Sequence, residues 1–362
     1  MSVEQHCKQA ETFWMQDGPD QDVILSTRIR LARNLKQLAF PGHQTVEDTA
    51  KLLDKMTDLL PMLSEKTQSN WQMIRLQELT ADQQRILIDK HLMSPMLAEK
   101  AESTALLLRE DEAVSIMVNE EDHLRLQILL SGLQLEQAWK LANEIDDVLE
   151  AQLEIAFSNE FGYITACPTN AGTGLRASVM VHLPALVISK KIGSFITGIN
   201  QLGMVVRGFY GEGTEAIGHI FQISNQISLG QSEEEILANL QAIIKQVVEE
   251  ERKTRRQLFT QIPLQLRDRI GRTLGILSNA WLLNGKEAVQ KLSDLRLGVE
   301  LDLLEHLTYQ ELNGLMVQLQ PAWLNQASEE NLSADQRAVQ RAAVMRSLLT
   351  QTRMKQIEEK EE

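Results

Sequence analysis

Apolar and polar positions change period several times along the chain, and each change predicts a different kind of element. Residues 1–21 are polar without an apolar period and are expected to be irregular. From Asp22, DVILSTRIRLARNL mixes β-branched residues with arginines and predicts a strand leading to a helix. Helical spacing sets in at Thr45, where Thr45 and Asp48 form a capping box before KLLDKMTDLLPML. A second helix is predicted after Thr80, with Gln83 in the box position, ending near HLMSP. The short apolar runs TALLLRE and AVSIMVNE, split by an Asp-Glu turn, predict a β-hairpin over 104–120.

A helical stretch over 133–152 follows, and then IAFS, FGYITACP, RASVMVHLP, MVVRGFYGEG and HIFQISNQISLG read as strands. Six to eight strands, mostly in hairpin order with helices between them, predict an α+β fold on an antiparallel sheet. Ser232 and Glu235 cap a long helix running into EEERKTRRQ, and beyond it stripes such as LDLLEHLTYQELNGLMVQL are helical to the end. The organisation expected is an irregular segment over 1–21, an α+β domain over 22–254 and an all-helical domain over 255–362.

Composition narrows the partners. The net charge of −14 disfavours generic binding to nucleic acid or to an anionic membrane, so arginines in apolar surroundings point to a local anion pocket. Two cysteines, Cys7 and Cys167, make neither a disulfide framework nor a metal cluster, and no metal ligand is assigned. MSVEQHCKQAETFW has no basic stretch followed by an apolar one, as a signal peptide would, and no apolar run has membrane-spanning length. The simplest reading is a cytoplasmic protein.

The usual glycine cradles for nucleotides, G-x-x-x-x-G-K-[ST] and G-x-G-x-x-G, are missing from the sequence. Any nucleotide is then bound without that cradle, and side-chain cations must do more of the work. Arg28 and Arg30 share one face of an extended backbone about 7 Å apart, a separation that suits adjacent phosphates. The same pattern also describes two surface arginines, as it does for Arg125, Arg176 and Arg207 taken singly. NEEDH at 119–123 puts three carboxylates in a row, which repel one another unless a cation meets them; a solvated acidic loop fits the pattern equally well. Glu212 sits in a glycine-rich turn that lets a ligand approach the backbone. Cys167 reads as a small buried hydrophobe, or as a thiolate stabilised by arginines and glycine amides.

Taken in chain order, STRIRLARN at 26–34, NEEDH at 119–123, CPTNAGTGLRASVMVHLP at 167–184 and VRGFYGEG at 206–213 resemble the phosphagen (guanidino) kinase family. The resemblance covers about 22–355. It implies a glutamine-synthetase-like saddle of antiparallel strands flanked by helices, and transfer of the γ-phosphoryl group of ATP, with Mg²⁺, to a guanidinium nitrogen. Carried over position by position, it implies a nucleotide site of Ser26, Thr27, Arg28, Ile29, Arg30, His91, Arg125, Arg176, Ala177, Ser178, Val179, Met180, Arg207, Gly208, Phe209, Tyr210, Gly211 and Glu212. Glu121 and Glu212 match the family's catalytic glutamates, and Cys167 its active-site cysteine.

Family members acting on small guanidines carry a helical domain before the catalytic one. Here only residues 1–21 precede it and 255–362 follow, a layout similar to the bacterial branch that phosphorylates arginine within proteins. That branch implies protein substrates with exposed arginines, a homodimer, and a role in stress response and protein quality control. Its implied partners are a Clp-type unfoldase with its protease, a heat-shock repressor and a zinc-binding activator. It also carries an R-D-x-x-R-A phosphoarginine motif; here the match is Arg337, Ala338, Val339, Gln340, Arg341 and Ala342, with Ala338 where the carboxylate belongs. The rival readings are a kinase of a free guanidine metabolite and a non-catalytic phosphoarginine-binding adaptor.

Overall fold

The computed structural model describes residues 2–208 and 216–355. The apolar–polar runs become strands β1 (Ile24–Arg33), β2 (Trp71–Arg75), β3 (Ala105–Arg109), β4 (Val114–Val118), β5 (Leu124–Ser131), β6 (Phe157–Ser158), β7 (Gly162–Tyr163), β8 (Leu175–His182), β9 (Met204–Gly208) and β10 (Ile220–Asn225). Eight of them form one sheet in the order β2-β3-β4-β5-β1-β8-β10-β9, and β6 pairs with β7 in a separate ribbon. Every neighbouring pair in the large sheet is antiparallel. The expected α+β architecture is present, although the first strand of the chain lies in the middle of the sheet rather than in a hairpin at its edge.

Register sorts the side chains. Thr27, Ile29, Leu31 and Arg33 on β1 share a face with Leu126, Ile128 and Leu130 of β5 and with Leu175, Ala177 and Val179 of β8. On this face the apolar side chains pack against the helices Leu135–Gln152 and Glu233–Gln261 in the main core. The opposite face is apolar only at its ends. One end is covered by the helix Ala81–Asp89 over Ile74, Leu106, Leu108 and Met117. At the other, Trp14, Met15, Met316 and Val317 gather on Leu129 and Met180. Between these two caps lies a polar lane.

Three expectations change. The segment 1–21 is ordered: a capping box of Ser2 and Gln5 starts the helix Val3–Lys8, and Trp14 and Met15 are fully buried. The buried Lys90 ammonium donates to the carbonyls of His6 and Gln9 and pairs with Glu112 at 2.6 Å, tying the segment down. The strand from Ile24 does not lead into a helix, which starts only at Val46. Instead Leu35 bridges to Ile155 and extends the chain. FGYITACP is strand only at Gly162–Tyr163, because Gly162 has a φ of 71° and Pro168 opens a short turn.

The helices Thr45-capped Val46–Asp58, Ala81–Asp89 and Leu135–Gln152 form where the pattern places them. The helix Ile192–Gln201 does not stand out in the sequence. The expected boundary near 254 falls inside the continuous helix Glu233–Gln261. Beyond it the helices Pro263–Asn279, Gly285–Glu300, Tyr309–Gln318 and Ala334–Leu348 surround a second apolar core, while the helix Pro321–Ser328 adds Ala322 to the cluster under Ala81–Asp89. This region is locked to the sheet. His182 of β8 hydrogen-bonds Glu300 and Ser293, each at 2.8 Å, and the side chains of His182 and Glu300 are fully buried. Arg296 donates to the Gln21 carbonyl and Asn313 to the Met15 carbonyl. Among the described residues no helix is long and apolar enough to cross a membrane.

Candidate active site

The polar lane is where the sequence's scattered arginines meet. Arg28 lies opposite Ser178, Arg30 opposite both Gln127 and Arg176, and Arg125 opposite Ala32. Gln222 lies opposite Met180 on one side and Arg207 on the other. Residues directly opposite in an antiparallel sheet share a face, so Arg28, Arg30, Arg125, Arg176 and Arg207 all project from the same one. Arg28 donates to the Gln222 side-chain Oε1 at 2.7 Å and more loosely to Ser178 Oγ at 3.5 Å.

The arginines repel one another. Burial, and then Arg125 and Arg176, push the Arg28 guanidinium down to about 10. Burial and the Arg28, Arg125 and Arg176 charges hold Arg30 well below the usual arginine range, against a smaller opposite pull from Glu120. Arg176 is lowered by burial, then by Arg207 and Arg125, with Cys167 and Glu121 opposing. The buried Nε atoms of Arg30 and Arg176 have no hydrogen-bond partner. A face of converging guanidinium groups with unspent donors is built for a polyanion.

The loop NEEDH sorts its three carboxylates. Glu120 is buried and accepts from Ser94 Oγ and Arg125 Nη1, so it fixes the arginine. Asp122 is buried and accepts from Asn34 Nδ2 at 2.6 Å and the Ala166 amide at 2.7 Å. His123 accepts from the Leu35 amide through Nδ1 and meets the Ala39 carbonyl through Nε2, so Nε2 carries the proton. Burial first keeps it below its usual range. Only Glu121 is left partly exposed, 3.8 Å from Arg125.

The Asp122–Ala166 bond brings this loop against the segment 165–174. Cys167 is partly exposed and its Sγ lies 3.0 Å from Thr169 Oγ1. Gly172 and Gly174 have φ of 98° and 67°, and a Cβ on Gly172 would lie 2.7 Å from the Ser228 carbonyl oxygen. The two glycines let the loop turn tightly between Ser228 and Arg33. Arg33 itself, the last residue of β1, points to the core face. It pairs with Asp146 at 2.6 Å, donates to the Ala32 and Thr173 carbonyls, and stacks 3.4 Å from the centre of the Tyr163 ring.

Other expected site residues fall elsewhere. The side chains of Thr27, Ile29, Ala177 and Val179 face the core, opposite the arginines, so they support the arginine strands and do not reach across the lane. Thr27 Oγ1 donates to the Gly132 carbonyl. Ser26 and Met180 lie on the arginine face but are buried at its closed end, Met180 in contact with the Trp14 cluster. His91, with a φ of 64°, stacks on Trp14 at 5.1 Å, and its carbonyl accepts from Gln127. Burial and then Arg28 push its imidazole down to about 3. Gly208 ends β9 beside Arg207, whereas Phe209, Tyr210, Gly211 and Glu212 lie outside the described residues.

In the helix Ala334–Leu348, Ala342 is buried and Arg341 is committed to the carbonyls of Leu319 (2.8 Å) and Leu283 (2.9 Å). Arg337 donates to the Leu332 carbonyl, and the Ala338 carbonyl accepts from Leu283. Of this motif's two arginines, Arg337 is the more open. Sequence reading passed over the roles of Glu120 and Gln222, which hold Arg125 and Arg28 on this face. The sheet register that aligns them arises between strands far apart in the chain, so no local spacing announces them.

Comparison with known proteins agrees with this architecture. A family model described as ATP:guanido phosphotransferase, C-terminal catalytic domain, matches residues 51–254. Another, described as protein-arginine kinase McsB C-terminal domain, matches residues 263–360. The chain is 47% identical over 350 residues to a protein-arginine kinase of Halalkalibacterium halodurans, covering 96% of this chain and 98% of that one. It is 49% identical over 343 residues to a protein-arginine kinase of Symbiobacterium thermophilum, covering 94% and 97%. Among solved structures, lombricine kinase is similar with a TM-score of 0.55 and 26% identity, covering 68% of this chain and 70% of that one. The duplicated taurocyamine kinase of Schistosoma mansoni shares the fold, with a TM-score of 0.57 and 24% identity over 67% of this chain and 35% of that one.

Proposed function

The chain belongs to the ATP:guanido phosphotransferase family, in its protein-arginine kinase branch, and from that premise we propose that it phosphorylates the guanidinium of arginine residues in proteins. The observation that carries the reading is the single face of converging arginines with Glu121 at its open side. Arg28, Arg30, Arg125, Arg176 and Arg207 receive the phosphate chain of ATP. They stabilise the charge that spreads over the transferring phosphoryl oxygens without having to move. A guanidinium is a poor nucleophile while protonated, so the acceptor must lose a proton. Glu121 clamps it in plane and takes that proton. An N–P bond forms as the bond to the ADP oxygen breaks. Cys167 contacts the acceptor from the facing loop, and Glu212 is the second carboxylate.

Magnesium would be supplied as a complex with the nucleotide. Among the described residues no group of His, Cys, Asp or Glu is arranged to cage an ion, and this cation is commonly held by substrate phosphates. It would neutralise phosphate charge beside the arginines.

On the family resemblance alone, the reading extends to a cytoplasmic protein marking substrates for a Clp-type unfoldase and protease, silencing a heat-shock repressor, and answering to a zinc-binding activator. Self-association into a dimer has one physical support. Trp281, Leu282 and Val339 are exposed apolar side chains, joined by the Leu283–Ala338 hydrogen bond. Phosphoarginine binding near 337–342 would rest on Arg337, with no carboxylate at 338 to meet the guanidinium side.

The test is incubation with ATP and either a casein-like protein or free arginine. Acid-labile phosphate on the protein supports the reading. Phosphate on free arginine alone makes this a metabolite kinase, and none on either makes it an adaptor. Within the site, Arg207→Ala is expected to cost about 1.5–3 kcal/mol in nucleotide binding or transfer, the worth of a charge-assisted hydrogen bond. Calorimetric titration together with turnover reads both.

A further inference from the structure

The acceptor side of the site has an apolar rim that the transfer chemistry does not use. Phe157, which opens β6, and Phe161, which immediately precedes β7, are 57% and 50% exposed. Ile227 and Leu229, after β10, are 58% and 49% exposed. The two pairs are far apart in the chain and close in space. Tyr163 donates its amide to the Gly172 carbonyl at 2.7 Å, and a Cβ on Gly172 would sit 2.8 Å from the Leu229 Cα. Ser228 Oγ donates to the carbonyls of Thr169 and Ala171, so both pairs flank the loop that carries Cys167. Large side chains half-exposed at such a density mark a surface that expects a partner.

The charge around the rim selects the partner. Glu150, whose carboxylate accepts from the Tyr163 hydroxyl, and Glu160, in the turn between β6 and β7, are exposed beside the phenylalanines. We infer that this rim docks a flexible, cationic stretch of polypeptide, gripping apolar side chains next to the arginine that enters the site. The inference rests on the reading of the protein as an arginine kinase of proteins. A small guanidine has no side chains to reach Phe161 or Leu229. An extended chain does, since residues on either side of an arginine lie about 3.4 Å further along per step. The rim therefore acts on substrate affinity, while the arginine face acts on the phosphoryl group.

Two unstructured peptides, each with one arginine flanked by either leucine and phenylalanine or by serine, test this by fluorescence anisotropy without ATP and by phosphorylation with it. The apolar peptide is expected to bind about tenfold more tightly to the unaltered protein, and Phe161→Ser with Leu229→Ser is expected to abolish most of that preference. With ATP, its KM rises in the variant and kcat is unchanged. Glu160→Lys is expected to weaken both peptides, more at low salt. Equal binding of the two peptides, or a preference that survives the double substitution, would overturn the inference. Preferential binding that leaves no acid-labile phosphate on the peptide would instead sink the kinase reading and leave the rim standing.

Discussion

Glu121→Gln is expected to lower turnover by about a hundredfold or more, with ATP affinity nearly unchanged, because in the proposed mechanism the residue positions and deprotonates the acceptor and touches no phosphate. The loop supplies its own control. Glu120 and Asp122 flank Glu121 in sequence, yet both are buried and spent on hydrogen bonds, the first to Ser94 and Arg125, the second to Asn34 and Ala166. Removing Glu120 should loosen Arg125 and reduce nucleotide affinity, so the two neighbours part company in a KM-against-kcat measurement. Glutamine keeps the shape and hydrogen-bonding span of Glu121 but cannot accept the proton. Near-normal turnover of Glu121→Gln would remove it from the role of base. Glu212 takes the same measurement, and a comparable loss there would make the clamp a pair.

The largest stability effect is expected at Asp146→Ala, about 3–5 kcal/mol, because it strands a buried arginine charge. Arg33 is almost wholly buried, with its guanidinium between the Asp146 carboxylate and the Tyr163 ring. Burial raises the Asp146 carboxyl and Arg33 pulls it back. Denaturant unfolding measures the loss. Replacing both partners together, Arg33→Met with Asp146→Leu, should recover much of it, since no uncompensated charge remains. If the single and double variants are equally unstable, the ion pair is not what holds helix Leu135–Gln152 to β1.

These two cases show how far the sequence could be read. Strand and helix identities were legible wherever a cap or a period was strong, as at Thr45, Thr80 and Ser232. The arginines of STRIRLAR were legible as a motif, but not as two populations. Arg28 and Arg30 face the lane while Arg33 faces the core, a parity fixed once the strand runs unbroken to residue 33 instead of turning into a helix. Likewise NEEDH shows three carboxylates, and only Ser94, Asn34 and Ala166, distant in sequence, decide which one remains available. The opening residues looked irregular because their partners, Lys90 and Glu112, are far away along the chain and nothing local betrays them.

The seam between sheet and helical region carries a lesson about how such a protein can change over generations. His182 sits on the same strand as Arg176 and Ser178, and its far end is bolted to Glu300 and Ser293 beneath a layer of buried charge. A joint of this kind is not a cassette boundary. A helical region borrowed from another lineage would arrive without the matching carboxylate and hydroxyl, leaving a buried imidazole with no partner at the end of the strand that carries Arg176. New substrate preferences are therefore more cheaply acquired at the solvent-facing turns around 157–163 and 227–229, where side chains can be exchanged one at a time, than by trading whole modules across that joint.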